Sequence, residues 1–285
     1  MIVVTGATGK LGQHVIGQLL ERVPASEIAI AVRNPAKAAD FAAKGVQVRE
    51  ADYAKPATLE AALRGADKVL LISSSEVGQR ATQHQAVIDA AKKGGIKHLV
   101  YTSVLHAETT TMKLASEHQA TEKAIRASGL PFTFLRNGWY TENYTEHLAG
   151  ALAQGAVYGA TRGGKVGTAA RADFAAAAVV ALTGSGHENK AYELATPGFT
   201  LADYAAEVSR QSGKKVVYTD LPVEAFEQAL LGAGLPPVMA AILADCDLAI
   251  ARGELADSSG DFERLIGRPL TPWQDTVATA LRASS

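Results

Sequence analysis

Thr5-Gly6-Ala7-Thr8-Gly9-Lys10-Leu11-Gly12 decides how the rest of the chain is read. It follows the β-branched run Ile2 to Thr5 and opens a helical pattern from Leu11 to Arg22, so its glycines sit at a strand-to-helix turn. Glycines there let the backbone bend sharply and approach a ligand. The free N–H groups and positive dipole end of the helix then face that ligand's negative charge. A dinucleotide diphosphate fits such a turn when strands and helices alternate around it. The spacing is Gly-x-x-Gly-x-x-Gly rather than Gly-x-Gly-x-x-Gly, so the context carries the argument.

That context continues outward. Short β-branched runs recur at Ile28 to Val32, Val46 to Arg49, Lys68 to Ile72, His98 to Thr102 and Phe132 to Leu135. Helical patterns fall between them near Pro35 to Ala43, Thr58 to Leu63, Gln79 to Lys93 and Lys113 to Ser128. This rhythm predicts an α/β fold: a doubly wound parallel-sheet Rossmann domain over residues 1–136. After Arg136 the rhythm loosens into glycine-rich stretches, Gly155 to Gly159 and Gly163 to Gly167. Isolated strands follow at Ala191 to Leu194 and Lys215 to Tyr218, with helices at Thr200 to Gln211, Pro222 to Leu231 and Pro237 to Ala251. Residues 137–285 are read as a smaller C-terminal α/β lobe, mostly substrate-binding, with some segments returning to the Rossmann core. Gly253 to Gly260 is polar enough for a mobile loop.

Composition narrows the partners. With 28 basic and 29 acidic side chains in 285 residues, no overall field points to nucleic acid or a membrane surface. The apolar stretch Phe174 to Thr183 is too short for a bilayer that needs roughly 20 apolar residues, and reads as a buried amphipathic helix. One cysteine, Cys246, excludes an intrachain disulfide, and the N-terminus shows no secretory pattern. Both predict a cytoplasmic protein. His84, His98, His106, His118 and His147 have no paired ligand spacing, so no metal is expected. The oligomeric state is open.

The end of the second strand selects the dinucleotide. A carboxylate about 20 residues beyond the glycines would bind a ribose 2′-hydroxyl, whereas an arginine accommodates a 2′-phosphate. The sequence reads Ala31-Val32-Arg33-Asn34-Pro35, with Lys37 following, and no carboxylate is expected to compete there. Arg33 therefore predicts NADPH over NADH. Ser73, Ser74 and Ser75 follow the fourth strand, where small residues let a dinucleotide lie close.

The sequence resembles the atypical, NmrA-like branch of the short-chain dehydrogenase/reductase superfamily, and within it the bacterial NADPH-dependent quinone oxidoreductases. The likeness runs through the glycine turn, Arg33-Asn-Pro-Ala-Lys37, Leu70-Leu-Ile-Ser-Ser-Ser-Glu-Val-Gly-Gln-Arg80, Val23-Pro-Ala-Ser26, Leu135-Arg-Asn-Gly-Trp-Tyr140 and Leu265-Ile-Gly-Arg-Pro269. Triphenylmethane dye reductases look similar too. The resemblance implies NADPH contact from Gly6, Ala7, Thr8, Gly9, Lys10 and Leu11, from Arg33, and from Ser73, Ser74 and Ser75. It extends that contact to Asn137, Gly138, Trp139, Tyr140, Thr141, Glu142 and Arg171, with the substrate between the lobes. Asn137, freed by Gly138 to adopt a suitable backbone, is the candidate catalytic residue, orienting the acceptor by its amide. His118 and Tyr140 are the candidate substrate-binding residues, His118 polarising an oxygen or serving structurally, and Tyr140 stacking on a ring.

One departure bears on chemistry. Most dehydrogenases of the wider superfamily carry Tyr-x-x-x-Lys on the helix after the fifth strand. Here Leu114 aligns with the tyrosine and His118 with the lysine. An ordinary carbonyl needs its oxygen protonated or stabilised as hydride arrives, so alcohol–ketone chemistry is disfavoured. A quinone or a cationic triaryl dye gives a delocalised oxyanion or a neutral product, and needs positioning more than acid catalysis. The sequence thus predicts a reductase transferring hydride directly from NADPH to a quinone. An NADPH-binding redox sensor without turnover, or a triarylmethane or azo dye reductase, is the alternative.

Overall fold

The computed structural model describes residues 1–283. The chain begins β1 (Ile2–Thr5), α1 (Lys10–Leu20), β2 (Ile28–Val32), α2 (Ala39–Ala43), β3 (Gln47–Glu50), α3 (Pro56–Ala62) and β4 (Lys68–Leu71). It continues through α4 (Arg80–Lys93), β5 (His98–Val104), α5 (Ala115–Ser128) and β6 (Phe132–Asn137). Next come β7 (Trp139–Tyr140), α6 (Glu142–Thr145), α7 (Leu148–Gln154), β8 (Ala156–Gly159), β9 (Lys165–Val166), β10 (Thr168–Ala169) and α8 (Arg171–Thr183). Then follow β11 (Lys190–Leu194), β12 (Phe199–Thr200), α9 (Leu201–Ser212), β13 (Val217–Asp220), α10 (Val223–Gly232), α11 (Pro237–Ala251), α12 (Asp261–Ile266) and α13 (Trp273–Ala283).

A seven-stranded sheet in the order β11-β6-β5-β4-β1-β2-β3 organises the first part. The strands from β1 to β6 pair in parallel, and β1, β2 and β5 are buried along their whole length. That explains why β1 and β2 read as nearly continuous apolar runs rather than alternating ones. The chain builds β1, β2 and β3 on one side, then crosses back to lay β4 against the other edge of β1. The strand order reverses there, and loops at the carboxyl ends diverge to leave a crevice.

The chain divides into two compact units. Residues 1–107, 117–137 and 171–192 form the first, and residues 108–116, 138–170 and 193–285 form the second. In the second unit, the Glu254 carboxylate accepts from Thr110 Oγ1 at 2.7 Å, and from the Thr111 amide and Oγ1 at 2.9 Å each. Asp245 accepts from the Lys113 amide at 2.7 Å. These carboxylates attach the segment between β5 and α5 to elements over a hundred residues later. Three two-stranded pairings, β7 with β10, β9 with β12 and β8 with β13, complete this unit.

Three expectations are corrected. The strand near Ala191 is β11, which extends the large sheet beside β6, so the sheet has seven strands rather than six. Val46 precedes β3, because its amide bonds back to Phe41 at the close of α2. The helix around Phe174 is not amphipathic: Phe174, Ala175, Ala177, Ala178, Val179, Ala181 and Leu182 are all buried, so apolar residues surround its axis.

Candidate active site

The glycine turn lies at the carboxyl end of β1. Gly6 has a φ of +62°, a left-handed conformation that glycine adopts without strain. Its carbonyl accepts from the Gly9 amide at 3.0 Å, closing the turn. Gly12 is required for another reason: a Cβ there would collide with the Gly6 carbonyl oxygen and come within 2.6 Å of Ala7 Cα. The turn and the first coil of α1 are therefore in direct backbone contact. Gly9 caps α1 with no side-chain hydrogen bond, and the first turn holds no acidic residue. Gly6, Gly9 and Lys10 are exposed, while Ala7 and Leu11 are buried beneath them. This cradle suits a diphosphate, whose oxygens take the N–H groups that no capping side chain satisfies.

Arg33 extends from the end of β2, and the structure corrects the expectation that no carboxylate competes for it. Its Nη1 lies 3.0 Å from Glu76 Oε1. Glu76 comes from the segment after β4, immediately past the serine run, and β1 lies between β4 and β2. Glu76 and Arg33 thus reach each other past the carboxyl end of β1. Gln83 donates to Glu76 Oε2 at 2.7 Å. That bond and the Arg33 guanidinium hold the Glu76 carboxyl below its ordinary range. Tyr53 lies within electrostatic reach of both charges, and burial holds its hydroxyl above the ordinary range.

The serine segment is pinned from within. The Ser73 amide donates to Thr102 Oγ1 at 2.8 Å, and the Ser74 amide to His84 Nε2 at 3.0 Å. Arg80 Nε donates to the Ser74 carbonyl, and Glu117 accepts from the Gly78 and Arg80 amides at 3.0 Å each. These partners fix two histidine tautomers. A backbone amide donates to His84 Nε2, so the proton sits on Nδ1, which points to Thr121 Oγ1 at 2.9 Å. Arg80 has only donors and its Nη1 lies 3.4 Å from His118 Nε2, so His118 carries its proton on Nδ1, 2.8 Å from the Tyr101 hydroxyl. Protonating either ring would set donor against donor in a buried site. Burial, then the nearby Arg80 charge, lowers His84 to about 4 and His118 to about 3.

His118 is therefore placed inside the first unit, with both ring nitrogens engaged. Leu114, aligned with the superfamily's tyrosine, lies in the turn before α5 and has no ionisable proton to donate. Arg80, Glu117 and Tyr101 went unread in the sequence. Arg80 lies near the serine run and Glu117 beside His118, whereas Tyr101, 17 positions from His118, carried no local signal.

Asn137 ends β6, buried, with its carbonyl accepting from the Leu105 amide at 2.9 Å. Beneath it, Arg136 and Glu122 form a buried bidentate pair, Nη2 to Oε2 at 2.8 Å and Nε to Oε1 at 3.0 Å, and Ser103 donates to Oε1 at 2.7 Å. In the second unit, Gly138 has no left-handed φ. It is glycine because a Cβ would lie 2.9 Å from Ala195 Cβ and 3.0 Å from the Gly167 carbonyl oxygen. Half-buried Trp139 and Tyr140 pair in parallel with Thr168 and Ala169. Thr141 donates through its hydroxyl to Thr168 Oγ1 at 2.9 Å, and Glu142 opens α6. Arg171, back in the first unit, opens α8, and Gln18 of α1 donates to the adjacent Ala172 carbonyl at 2.9 Å.

With this geometry in view, residues 6–184 match the family described as NAD(P)H-binding. The chain belongs to that family. It is 50% identical over 279 residues to quinone oxidoreductase 2 of Escherichia coli strain K12, covering 98% of each chain. The crystal structure of the Escherichia coli NADPH-dependent quinone oxidoreductase complexed with NADPH matches at a TM-score of 0.96 and 50% identity, over 99% of this chain and 100% of that one. Citrobacter sp. triphenylmethane reductase complexed with NADP(H) matches at a TM-score of 0.94 and 42% identity, over 98% of this chain and 100% of the other. The family likeness read from the motifs is borne out over the whole chain. Among the described residues, no group of three or more His, Cys, Asp or Glu side chains is placed to share a metal. Among the described residues, no helix is long and apolar enough to cross a membrane.

Proposed function

We propose that this protein is an NADPH-dependent reductase that passes hydride directly to a quinone. The observation that carries the reading is the full-length likeness at 50% identity to a quinone oxidoreductase, on a fold that keeps the nucleotide cradle. The turn from Gly6 to Leu11 would cradle the diphosphate, Arg33 would hold the 2′-phosphate, and Ser73, Ser74 and Ser75 would line the dinucleotide. Asn137 to Glu142 and Arg171 are assigned to the cofactor as well, with the Asn137 amide and the Tyr140 ring orienting the acceptor. When bound, NADPH supplies the two electrons and the hydrogen that, with one solvent proton, convert quinone to hydroquinone.

The protein's own contribution is positioning. Leu114 offers no acid, and His118 stays neutral and internally bonded, so no titratable group at these two positions supplies a proton. A delocalised quinone tolerates that lack, whereas a simple ketone does not. The likeness to triphenylmethane reductase favours cationic triaryl dyes as a second substrate class for the same reason. A cytoplasmic location accords with the single cysteine, Cys246, which is buried and unpaired. The test is steady-state turnover of purified protein with NADPH and a water-soluble benzoquinone, without added flavin or metal. One NADPH consumed per hydroquinone formed is expected. Tight NADPH binding with no turnover on any quinone or dye would instead identify a sensor.

A further inference from the structure

The Arg33–Glu76 pair differs from an ordinary surface ion pair in where it lies and in how it is held. The guanidinium side chain is 73% exposed and the carboxylate side chain 45%, so both face solvent and any incoming ligand. Glu76 is nonetheless anchored. Gln83 holds one carboxylate oxygen, and the Glu76 amide donates to Ser74 Oγ at 3.2 Å. Its segment is tied to α4 and α5 through His84, Arg80 and Glu117. Arg33 is the movable partner, and it projects from the strand end where ribose recognition takes place in a fold of this kind.

We propose that Glu76 is a specificity-determining residue for the cofactor, a resident carboxylate that occupies Arg33 until a 2′-phosphate takes its place. The inference rests on the assignment of Arg33 to that phosphate. Three effects act in one direction. Arg33 must release Glu76 before pairing with the phosphate. Glu76 then remains as a fixed negative charge near a dianion. A carboxylate at this place also accepts a hydrogen bond from the adenosine-ribose 2′-hydroxyl, which NADH has and NADPH carries as a phosphate ester. Glu76 therefore narrows the NADPH preference that Arg33 creates. The acidic residue that NAD-binding units carry after the second strand is here supplied after the fourth.

The test is a set of dissociation constants for NADPH and NADH, read by nicotinamide fluorescence on the full chain, for the parent, Glu76→Gln, Glu76→Ala, Arg33→Ala and the Arg33→Ala/Glu76→Gln double variant. Both Glu76 variants should bind NADPH roughly three- to tenfold tighter and NADH no tighter, with the gain shrinking as salt is raised. Glu76→Gln should give a smaller NADPH gain once Arg33 is alanine, because only the charge repulsion is then left to relieve. An unchanged or reduced NADPH-to-NADH preference in the Glu76 variants would overturn the proposal, as would an equal gain in the Arg33→Ala background. If Arg33→Ala itself leaves the preference intact, the Arg33 assignment fails and takes the proposal with it. Loss of the preference on Arg33→Ala, with no effect of either Glu76 variant, rejects Glu76 alone.

Discussion

Gly12 and Gly17 lie on the same helix and make opposite demands. A Cβ at Gly12 meets backbone of the glycine turn, whereas nothing lies within 4 Å of one at Gly17. Gly12→Ala is expected to cost about 1–3 kcal/mol by overpacking and to weaken NADPH binding. Gly17→Ala should stabilise by about 0.5–1 kcal/mol, because alanine loses less backbone entropy in a helix interior. Urea unfolding of both variants checks the pair, and equal shifts would contradict the cradle geometry. At this scale the glycines were legible, since a strand-end turn is a local feature. The carboxylate at Arg33 was not, because Glu76 lies 43 positions away and nothing in the local pattern of Arg33 signals it.

The helices α4 and α5 show how elements hold the crevice. They present His84, Arg80 and Glu117 to the segment after β4, while Thr121 and His118 of α5 back His84 and Arg80. His84 and His118 titrate near 4 and 3 when folded and near 6.5 when unfolded, so the unfolded chain binds more protons in between. Their contribution to stability is complete above about pH 6.5 and is lost as pH falls toward 4. Melting temperature should drop over that window, and His118→Gln should make the drop shallower while lowering stability at neutral pH. An unchanged slope would refute the buried neutral assignment. The Glu122–Arg136 pair joins α5 to β6 just below Asn137. Glu122→Gln removes the carboxylate charge from a buried bidentate pair and should cost about 3–5 kcal/mol in denaturant unfolding, and a loss under 1 kcal/mol would show the pair to be dispensable. These helices were readable from their patterns, but the protonation state of His118 was not, because Tyr101 and Arg80 set it from other elements.

Over the whole chain, the alternation of strands and helices announced the doubly wound sheet, and the positions from β1 to β6 were found to within a few residues. What the pattern did not reveal was set by pairings distant in sequence. These include β11 joining the sheet beside β6, the Glu254 attachment of residues 108–116, and the small pairings such as β8 with β13. A nucleotide cradle, with no acid at Leu114 and a neutral, internally bonded His118, serves direct hydride delivery to an acceptor that needs only positioning. An anaerobic single-turnover measurement with NADPH deuterated at the transferable hydrogen, mixed with enzyme and a benzoquinone, tests it most directly. Rapid hydroquinone formation in the first turnover, without flavin and slowed by deuterium, is the predicted result. No oxidation of the bound cofactor, or oxidation that requires added flavin, would contradict it.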